Sequence, residues 1–188
     1  MVQYSMANLQ QFQAKICLTA SGCFIHDGKV LLIKHTKLGL WLNPGGHLEA
    51  NEAPHQAAER EFFEETGIRT KAVLLYGAEA KGESQNVPSP FATNLHWVSK
   101  ENYWGRVQAA GKAETVKQKV WERGCEQHLN MCFLVEPVGS IEYQMSPEST
   151  DIRWFSKEDL AALSPTEIPG DVLSEIEIAR ELQQRLQG

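Results

Sequence analysis

Apolar residues in this chain form short runs that alternate with turn-forming residues, a pattern that predicts β-strands. The run 29–34 is entered through the turn 26–28, and the short apolar step 41–42 leads into a sharp loop at 43–46. Strands are predicted at 14–24, 29–34, 72–76, 129–135 and 152–155.

Helical signals interrupt this series of strands. Residues 54–66 are predicted to form a helix that ends at Gly67, because glycine favours the left-handed conformation that closes helices. A second helix follows residue 155, where Ser156 can cap it with Asp159 three residues later. A C-terminal helix is predicted at 171–186, with an apolar stripe of Val172, Ile176, Ala179 and Leu182. Strands interleaved with helices indicate an α/β fold.

The segment 79–127 does not fit this compact pattern. It contains two prolines, the tryptophans Trp97 and Trp104, and a stretch at 112–123 that can form a helix. A connection of this length is too long for a plain loop, so we interpret it as an inserted functional or packing element. The predicted organisation is one domain over 1–188 that carries this insertion and the C-terminal helix.

Composition narrows the classes of protein that the chain can belong to. With 188 residues and 42% hydrophobic content, it suits a globular domain with a full core. It has no apolar run of the ~18–20 residues that span a bilayer, and its first 15 residues lack the features of a signal peptide. We therefore expect no membrane association and a cytoplasmic location. The four cysteines match no paired zinc pattern and are expected to be reduced and structural.

The net charge of −6 bears on the choice of partner. Proteins that bind a nucleic-acid backbone normally present an excess of Lys and Arg, so we expect no long nucleic acid as a partner. An acidic protein can still bind a small polyphosphate when it recruits divalent cations first.

Acidic residues are concentrated in the segment 46–68, and three of them share one face of the predicted helix. Glu61, Glu64 and Glu65 fall within an arc of about 100° because a helix advances by 100° per residue. Stacked like charges cost about 0.2–0.5 kcal/mol per pair, and Arg60 is the one Lys or Arg of the segment. Because one arginine compensates little of this negative charge, the cluster favours a bound Mg²⁺ or Mn²⁺ over an acidic helix face that is simply exposed to solvent.

The spacing of these residues resembles a known family motif. Gly46 is followed after five residues by Glu52 and after seven more by 60–68 (REFFEETGI), which matches the Nudix box, G-x5-E-x7-R-E-U-x-E-E-x-G-U with U apolar. Phe62 stands where the family usually has an aliphatic residue. Asn51 stands where many members have glycine.

The resemblance implies a fold, a cofactor and a reaction. The fold would be an α/β/α sandwich with a mixed sheet, in which the box forms a loop–helix–loop. Mg²⁺ or Mn²⁺ would be bound by Glu61, Glu64 and Glu65, with the carbonyl of Gly46 as a further ligand. These glutamates and Arg60 would be the catalytic residues. The reaction would be water attack on one phosphorus of a diphosphate in a small, nucleotide-like substrate.

The general base is left open by the resemblance, because some members of the family use a box glutamate and others use an acid from a distant loop. The distant candidates in this chain are Glu142, Glu148 and Asp151. Each of them can equally be a charged residue of a surface loop.

Candidate substrate contacts come from residues that can stack on a base or touch phosphate. Phe91, Trp97 and Trp104 lie in the insertion and can bind a base, although they can also serve packing or a homodimer contact. His47 follows the glycine pair and can contact phosphate.

Two other functions use the same scaffold and are kept as alternatives. One is a catalytically silent Nudix module that binds a nucleotide-like ligand, although such modules usually lose box carboxylates. The other is an isomerase of the isopentenyl diphosphate type, which carries a cysteine in a Cys-x-His-Pro context. No cysteine here has such neighbours.

Overall fold

A computed structural model of the chain describes residues 13–75, 84–108 and 124–187. Contacts divide the chain into two compact units. The larger unit comprises Thr19–Thr93 and Asn130–Gly188, and the smaller unit comprises Met1–Leu18 and Asn94–Leu129.

Eight strands and four helices lie within the described residues. The strands are β1 (Ile16–His26), β2 (Lys29–His35), β3 (Trp41–Leu42), β4 (Gly45–His47), β5 (Thr70–Ala72), β6 (Ala92–Trp97), β7 (Gln127–Pro137) and β8 (Ser149–Phe155). The helices are α1 (Pro54–Thr66), α2 (Lys100–Gln108), α3 (Lys157–Ala161) and α4 (Gly170–Gln187).

The strands form a mixed sheet in the order β3-β2-β1-β7-β5. Three further strands join this path by pairing: β4 with β1, β6 with β7, and β8 with β2. The pairing of β4 with β1 is short and antiparallel, with Gly46 opposite Ala20 and Gly45 opposite Ser21.

Alternate residues of the strands belong to two separate hydrophobic clusters in the larger unit. Along β2, Val30 and Leu32 belong to one cluster, while Leu31 and Ile33 belong to the other. Since successive side chains of a strand point to opposite faces, the clusters lie on the two sides of the sheet. The α1-side cluster includes Ala57, Ala58 and Phe62, and the α4-side cluster includes Val172, Ile176 and Ala179. The predicted α/β/α sandwich is confirmed.

Helix α1 has the bounds predicted from local signals. Pro54 occupies its first turn, where a missing N–H costs nothing, and the side chain of Gln56 accepts a hydrogen bond of 2.9 Å from the backbone N–H of Ala53. At the other end Gly67 has φ 74° and donates its N–H to the carbonyl of Phe63 at 2.7 Å. These two signals set where the box helix begins and ends.

Two predicted elements differ from the structure. The loop predicted at 43–46 is in part strand β4, because Gly45 and Gly46 pair with β1. The strand predicted at 72–76 overlaps β5 at Ala72 alone, because β5 begins at Thr70, where it pairs with Pro137 of β7, and residues 73–75 are not in a strand. The predicted helix at 112–123 lies outside the described residues.

The smaller unit contains helix α2 and an exposed group of aromatic side chains. Trp97 packs edge-on against Tyr103 with ring centroids 5.3 Å apart, and Tyr103 packs in the same way on Trp104 at 5.0 Å. In this unit Nε of Arg106 donates a hydrogen bond of 2.6 Å to the buried carboxylate of Glu126. Among the helices that the structure describes, none is both long and apolar enough to cross a membrane.

Candidate active site

Arg60 is the residue around which the acidic side chains of α1 are arranged. Its Nε and Nη2 donate to the two carboxylate oxygens of Glu52 at 3.1 and 2.8 Å, a bidentate pair that orients the guanidinium. Its Nη1 donates to Glu64 at 3.0 Å and lies 2.9 Å from Oε1 of Glu61. Its Nη2 also donates to the carbonyl of His47 at 3.0 Å. Arg60 thus pairs with Glu52, Glu61 and Glu64.

The pairing of Arg60 with Glu52 shifts the pKa of both side chains. The hydrogen bond to Glu52 is the largest influence that raises the pKa of Arg60. The same hydrogen bond lowers the pKa of Glu52, whose Oε1 also accepts the backbone N–H of Glu49 at 2.6 Å. Glu52 is therefore a permanently charged anchor for Arg60.

Glu65 is a buried acid that binds the backbone of strand β4. Its side chain is almost inaccessible, with 2% of the residue exposed, and its Oε2 accepts a hydrogen bond of 2.8 Å from the N–H of Gly45. Burial raises the pKa of Glu65 to about 8, the hydrogen bond from Gly45 opposes that rise, and the charges of Glu61 and Glu148 add to it.

Glu61 lies directly against the backbone of Gly46. A Cβ atom placed on Gly46 would be 2.5 Å from the carboxyl carbon of Glu61, a distance that no real side chain shows. A side chain at position 46 would therefore have to displace the carboxylate of Glu61. Burial raises the pKa of Glu61, while its contact with Arg60 lowers it.

The three carboxylates that were predicted to bind metal are brought to one face of α1 but differ in exposure. The side chain of Glu64 is 55% exposed, against 14% for Glu61, and Glu65 is buried. Phe62 is buried in the α1-side cluster, whereas Phe63 is 44% exposed.

The donor set suits a hard divalent cation. Glu61 and Glu65 both have a raised pKa, for which burial is the main cause and neighbouring acids are a further one. The single positive charge of Arg60 is shared among Glu52, Glu61 and Glu64. Mg²⁺ and Mn²⁺ prefer oxygen ligands and would supply the charge that these carboxylates need. The residues present therefore fit such an ion.

Glu148 is the loop acid whose charge reaches the box. Burial is the main cause of the raised pKa of Glu61 and Glu65, and the charge of Glu148 is a smaller contribution to both. The turn before β8 holds it in place: its carbonyl accepts the N–H of Thr36 at 3.0 Å and its own N–H donates to Oγ of Ser146 at 3.2 Å.

The two other loop acids have different surroundings. Asp151 lies in β8, where its Oδ2 is 2.5 Å from Nη2 of Arg153 and its Oδ1 accepts the N–H of Ile152. Glu142 is exposed, and its backbone N–H donates to Ser140. Neither acid is among the main influences on Glu61 and Glu65.

The candidate substrate residues are distributed over the chain. His47 lies in β4 and binds Arg60 through its carbonyl. Phe91 packs against the α4-side cluster, so packing already accounts for its ring. Trp97 and Trp104 belong to the smaller unit and are 42% and 55% exposed. Their role as substrate contacts stays a prediction.

Sequence reasoning missed two features of the site. It did not foresee that Gly45 donates to Glu65, because this bond depends on the pairing of β4 with β1. It also missed Glu175 of α4, which is 5% exposed and accepts a hydrogen bond of 3.0 Å from the side chain of Asn43. The available signal was an acidic residue on the apolar stripe of α4, three residues after Val172.

Comparison with known proteins places this geometry in a family. A model of the NUDIX domain matches residues 18–174. Phosphatase NudJ of Escherichia coli strain K12 is 51% identical over 49 residues, an alignment that covers 24% of this chain. The match spans about a third of the length of that relative, 32%.

Solved structures share the fold at lower sequence identity. A hydrolase of the Nudix family from Clostridium perfringens aligns with a TM-score of 0.63 and 24% identity, covering 88% of this chain and 97% of its own. An ADP-ribose pyrophosphatase from Streptococcus suis aligns with a TM-score of 0.52 and 16% identity, covering 89% and 92%. These likenesses show the fold alone. The match of the domain model over most of the chain, together with the box geometry, shows that the chain belongs to the Nudix domain family.

Proposed function

We propose that this protein is a metal-dependent diphosphohydrolase that cuts the diphosphate linkage of a small, nucleotide-like substrate. The observation that carries the proposal is the placement of Glu61 against the backbone of Gly46 and of Glu65 against that of Gly45. Arg60 pairs with Glu61 and also with the two other acids, Glu52 and Glu64. A catalytically silent module has no need of this complete acidic constellation.

Glu61, Glu64 and Glu65 would hold Mg²⁺ or Mn²⁺, with the Gly46 carbonyl as a further ligand. The ion would neutralise phosphate oxygens and lower the pKa of the attacking water. The chain itself contributes orientation: Arg60 holds the carboxylates of Glu61 and Glu64 on its Nη1 side.

Glu148 is the best-supported general base. Of the three candidate acids outside the box, it is the one whose charge contributes to the raised pKa of Glu61 and Glu65, and a turn before β8 carries it. It would take a proton from water as the water oxygen bonds to phosphorus. The bond from that phosphorus to the bridging oxygen then breaks, and the second phosphate leaves with the bridging oxygen.

The substrate class is a diphosphate bonded to a nucleoside or a related group. NudJ carries the name phosphatase, and a protein of the same fold is named an ADP-ribose pyrophosphatase. Both names concern chemistry at phosphorus. The aromatic residues Trp97 and Trp104 are proposed to contact the base, and His47 a phosphate.

A substrate panel tests the proposed activity. Nucleoside triphosphates, dinucleoside polyphosphates, ADP-ribose, nucleotide sugars and NADH would each be incubated with Mg²⁺ or Mn²⁺. Reaction in ¹⁸O-labelled water, followed by ³¹P NMR, shows which phosphorus is attacked. We expect metal-dependent release of two phosphate-bearing products, or of phosphate or diphosphate, with label in one. Binding of a nucleotide without turnover of any substrate would indicate a silent module, and rearrangement without phosphate release would indicate an isomerase.

The assignment of the base has its own test. Glu148→Gln should lower kcat by about 10²- to 10⁴-fold, because the general base is lost. Glu142→Gln and Asp151→Asn are the matched controls, since each changes one of the other two candidate acids and should stay within about threefold of wild type. Equal losses in all three variants would contradict a specific role for Glu148.

A further inference from the structure

Helix α4 carries a buried acid within an otherwise apolar stripe. Val172, Ile176 and Ala179 pack into the α4-side cluster, and Glu175, on the same stripe, is 5% exposed. A buried carboxyl group is costly unless it is hydrogen-bonded, so its partner identifies what the group is for.

One of the partners of Glu175 lies in the segment that leads into β4. Nδ2 of Asn43 donates to Oε2 of Glu175 at 3.0 Å, and Asn43 itself is 7% exposed. The same nitrogen is 3.8 Å from Sγ of Cys132. Among the described residues, Oδ1 of Asn43 has no hydrogen-bond partner. The bond to Glu175 is therefore what orients this amide.

Asn43 is the first residue of a backbone stretch that is fixed on both sides of the sheet. The carbonyl of Pro44 accepts the N–H of Gly22 at 2.9 Å, and the N–H of Gly45 donates to Glu65 of α1 at 2.8 Å. The next residue, Gly46, touches the carboxylate of Glu61. This stretch is thus held by α4 at one end and by α1 at the other.

We propose that Glu175 is a positioning residue, which through Asn43 sets the backbone of Gly45 and Gly46 against the carboxylates of Glu65 and Glu61. It acts from the layer of the sandwich opposite to α1 and touches neither metal nor substrate. The inference rests on the proposed function, since it concerns the same metal site.

The expected effect follows from how little space the contact allows. Gly46 already lies against Glu61 with no room for a methyl group, so a shift of its backbone must move the carboxylate. A displacement of about 1 Å in a catalytic group can cost about 10²-fold in rate. A change at Glu175 should therefore appear in metal affinity and kcat and leave the KM for substrate within about twofold.

Two substitutions at Glu175 separate positioning from packing. Glu175→Met keeps the side-chain length but has no oxygen to accept from Asn43, and it should weaken Mn²⁺ binding by about 10-fold and lower kcat at least as much. Glu175→Gln keeps an acceptor oxygen and should stay within about twofold. Mn²⁺ affinity would be measured by calorimetry with the metal alone, and kcat well below each melting temperature.

Ile176→Ala is the matched control, since Ile176 is fully buried on the same stripe. It should lower the melting temperature without changing Mn²⁺ affinity. If Glu175→Met behaves like Ile176→Ala, or if Glu175→Gln is as impaired as Glu175→Met, the positioning role is overturned.

Asn43→Ala removes the other partner of the hydrogen bond between Asn43 and Glu175. It provides the test if Glu175→Met fails to fold. It should weaken Mn²⁺ binding to a similar extent, and the double variant should be no worse than either single one. If the losses of Mn²⁺ affinity in the two single variants add up in the double variant, Glu175 does not act through Asn43. Wild-type protein that binds no Mn²⁺ would refute the proposed function itself. Tight binding in wild type and Glu175→Met alike would refute only the positioning role.

Discussion

The carboxylate of Glu65 accepts a hydrogen bond from the backbone N–H of Gly45 at 2.8 Å, in surroundings that leave 2% of the residue exposed. This bond joins the helix of the Nudix box to strand β4. It also favours the charged form of an acid whose burial favours the neutral form. The balance of these two influences makes the site sensitive to pH.

The first prediction concerns the stability of the protein in EDTA. Burial raises the pKa of Glu65 to about 8, above its ordinary 4.5, so the folded state binds the proton more tightly than the unfolded state. The stability that this carboxyl contributes is complete below pH 4.5 and is lost as the pH rises to about 8. The loss is at most about 1.4 kcal/mol per pH unit.

Urea unfolding between pH 5 and pH 9 measures this dependence. Glu65→Gln cannot ionise, so its free energy of unfolding should fall less steeply over that range than that of wild type. Parallel curves for the two proteins would show that Glu65 is not the titrating group.

A second prediction concerns stabilisation by metal. A cation that binds the folded state alone at 100 times its Kd adds about 2.7 kcal/mol, equivalent to about 5–10 °C for a domain of this size. Millimolar Mn²⁺ should produce this rise relative to EDTA, and Glu61→Gln should abolish most of it. Glu59→Gln is the control, since Glu59 is on the same helix but accepts the N–H of Ala72. A rise of equal size in Glu61→Gln would remove Glu61 from the ligand set.

The third prediction concerns turnover. Glu64→Gln and Glu65→Gln should each reduce kcat by at least about 10²-fold without unfolding the protein, because each loses a charged ligand. Circular dichroism checks the fold and a steady-state assay at saturating Mn²⁺ gives the rate. Near-wild-type rates in both variants would mean that the metal site lies elsewhere.

A fourth prediction addresses the contact between Gly46 and Glu61. A methyl group at Gly46 would lie 2.5 Å from the Glu61 carboxyl carbon, so Gly46→Ala should displace that carboxylate and weaken Mn²⁺ binding by about 10-fold or more. Gly170→Ala is the control, because nothing lies within 4 Å of its added Cβ. Isothermal titration with Mn²⁺ compares the two. Unchanged affinity in Gly46→Ala would place Gly46 outside the site.

The fifth prediction concerns specificity. Trp97→Ala and Trp104→Ala should alter the ranking of substrates by kcat/KM, since loss of a stacked base costs about 1–3 kcal/mol, or about 5- to 150-fold. Leu95→Ala, which also changes an exposed apolar residue of β6, is the control. If the tryptophan variants keep the wild-type ranking, the two rings serve packing or self-association. Sedimentation of the variants then distinguishes those roles.

Local signals in the sequence were sufficient for the box helix. Pro54 and Gly67 act on their own turns of the chain, so the bounds of α1 could be predicted as the structure has them. The spacing of Glu61, Glu64 and Glu65 likewise determines a shared helix face.

Features that depend on distant pairing could not be predicted in the same way. Gly45 becomes part of a strand only because β1 lies beside it, and the bond between Asn43 and Glu175 joins residues 132 positions apart. Glu148 was one of three equivalent candidate acids in the sequence, and only the folded chain distinguishes it, as the one whose charge contributes to the raised pKa of Glu65. In each case the partner is set by tertiary structure.

Arg60 gives the site a means of discriminating between ions by valence. Its guanidinium already compensates Glu61 and Glu64, so a cation that binds these carboxylates must compete with it. A monovalent ion brings the same charge as Arg60 and gains nothing electrostatically by the exchange, whereas a divalent ion gains. The arginine stays attached to Glu52 through two hydrogen bonds and can return when the ion leaves. At the proposed metal site, Arg60 would thus compete with a bound cation and disfavour Na⁺ and K⁺ relative to ions of higher charge.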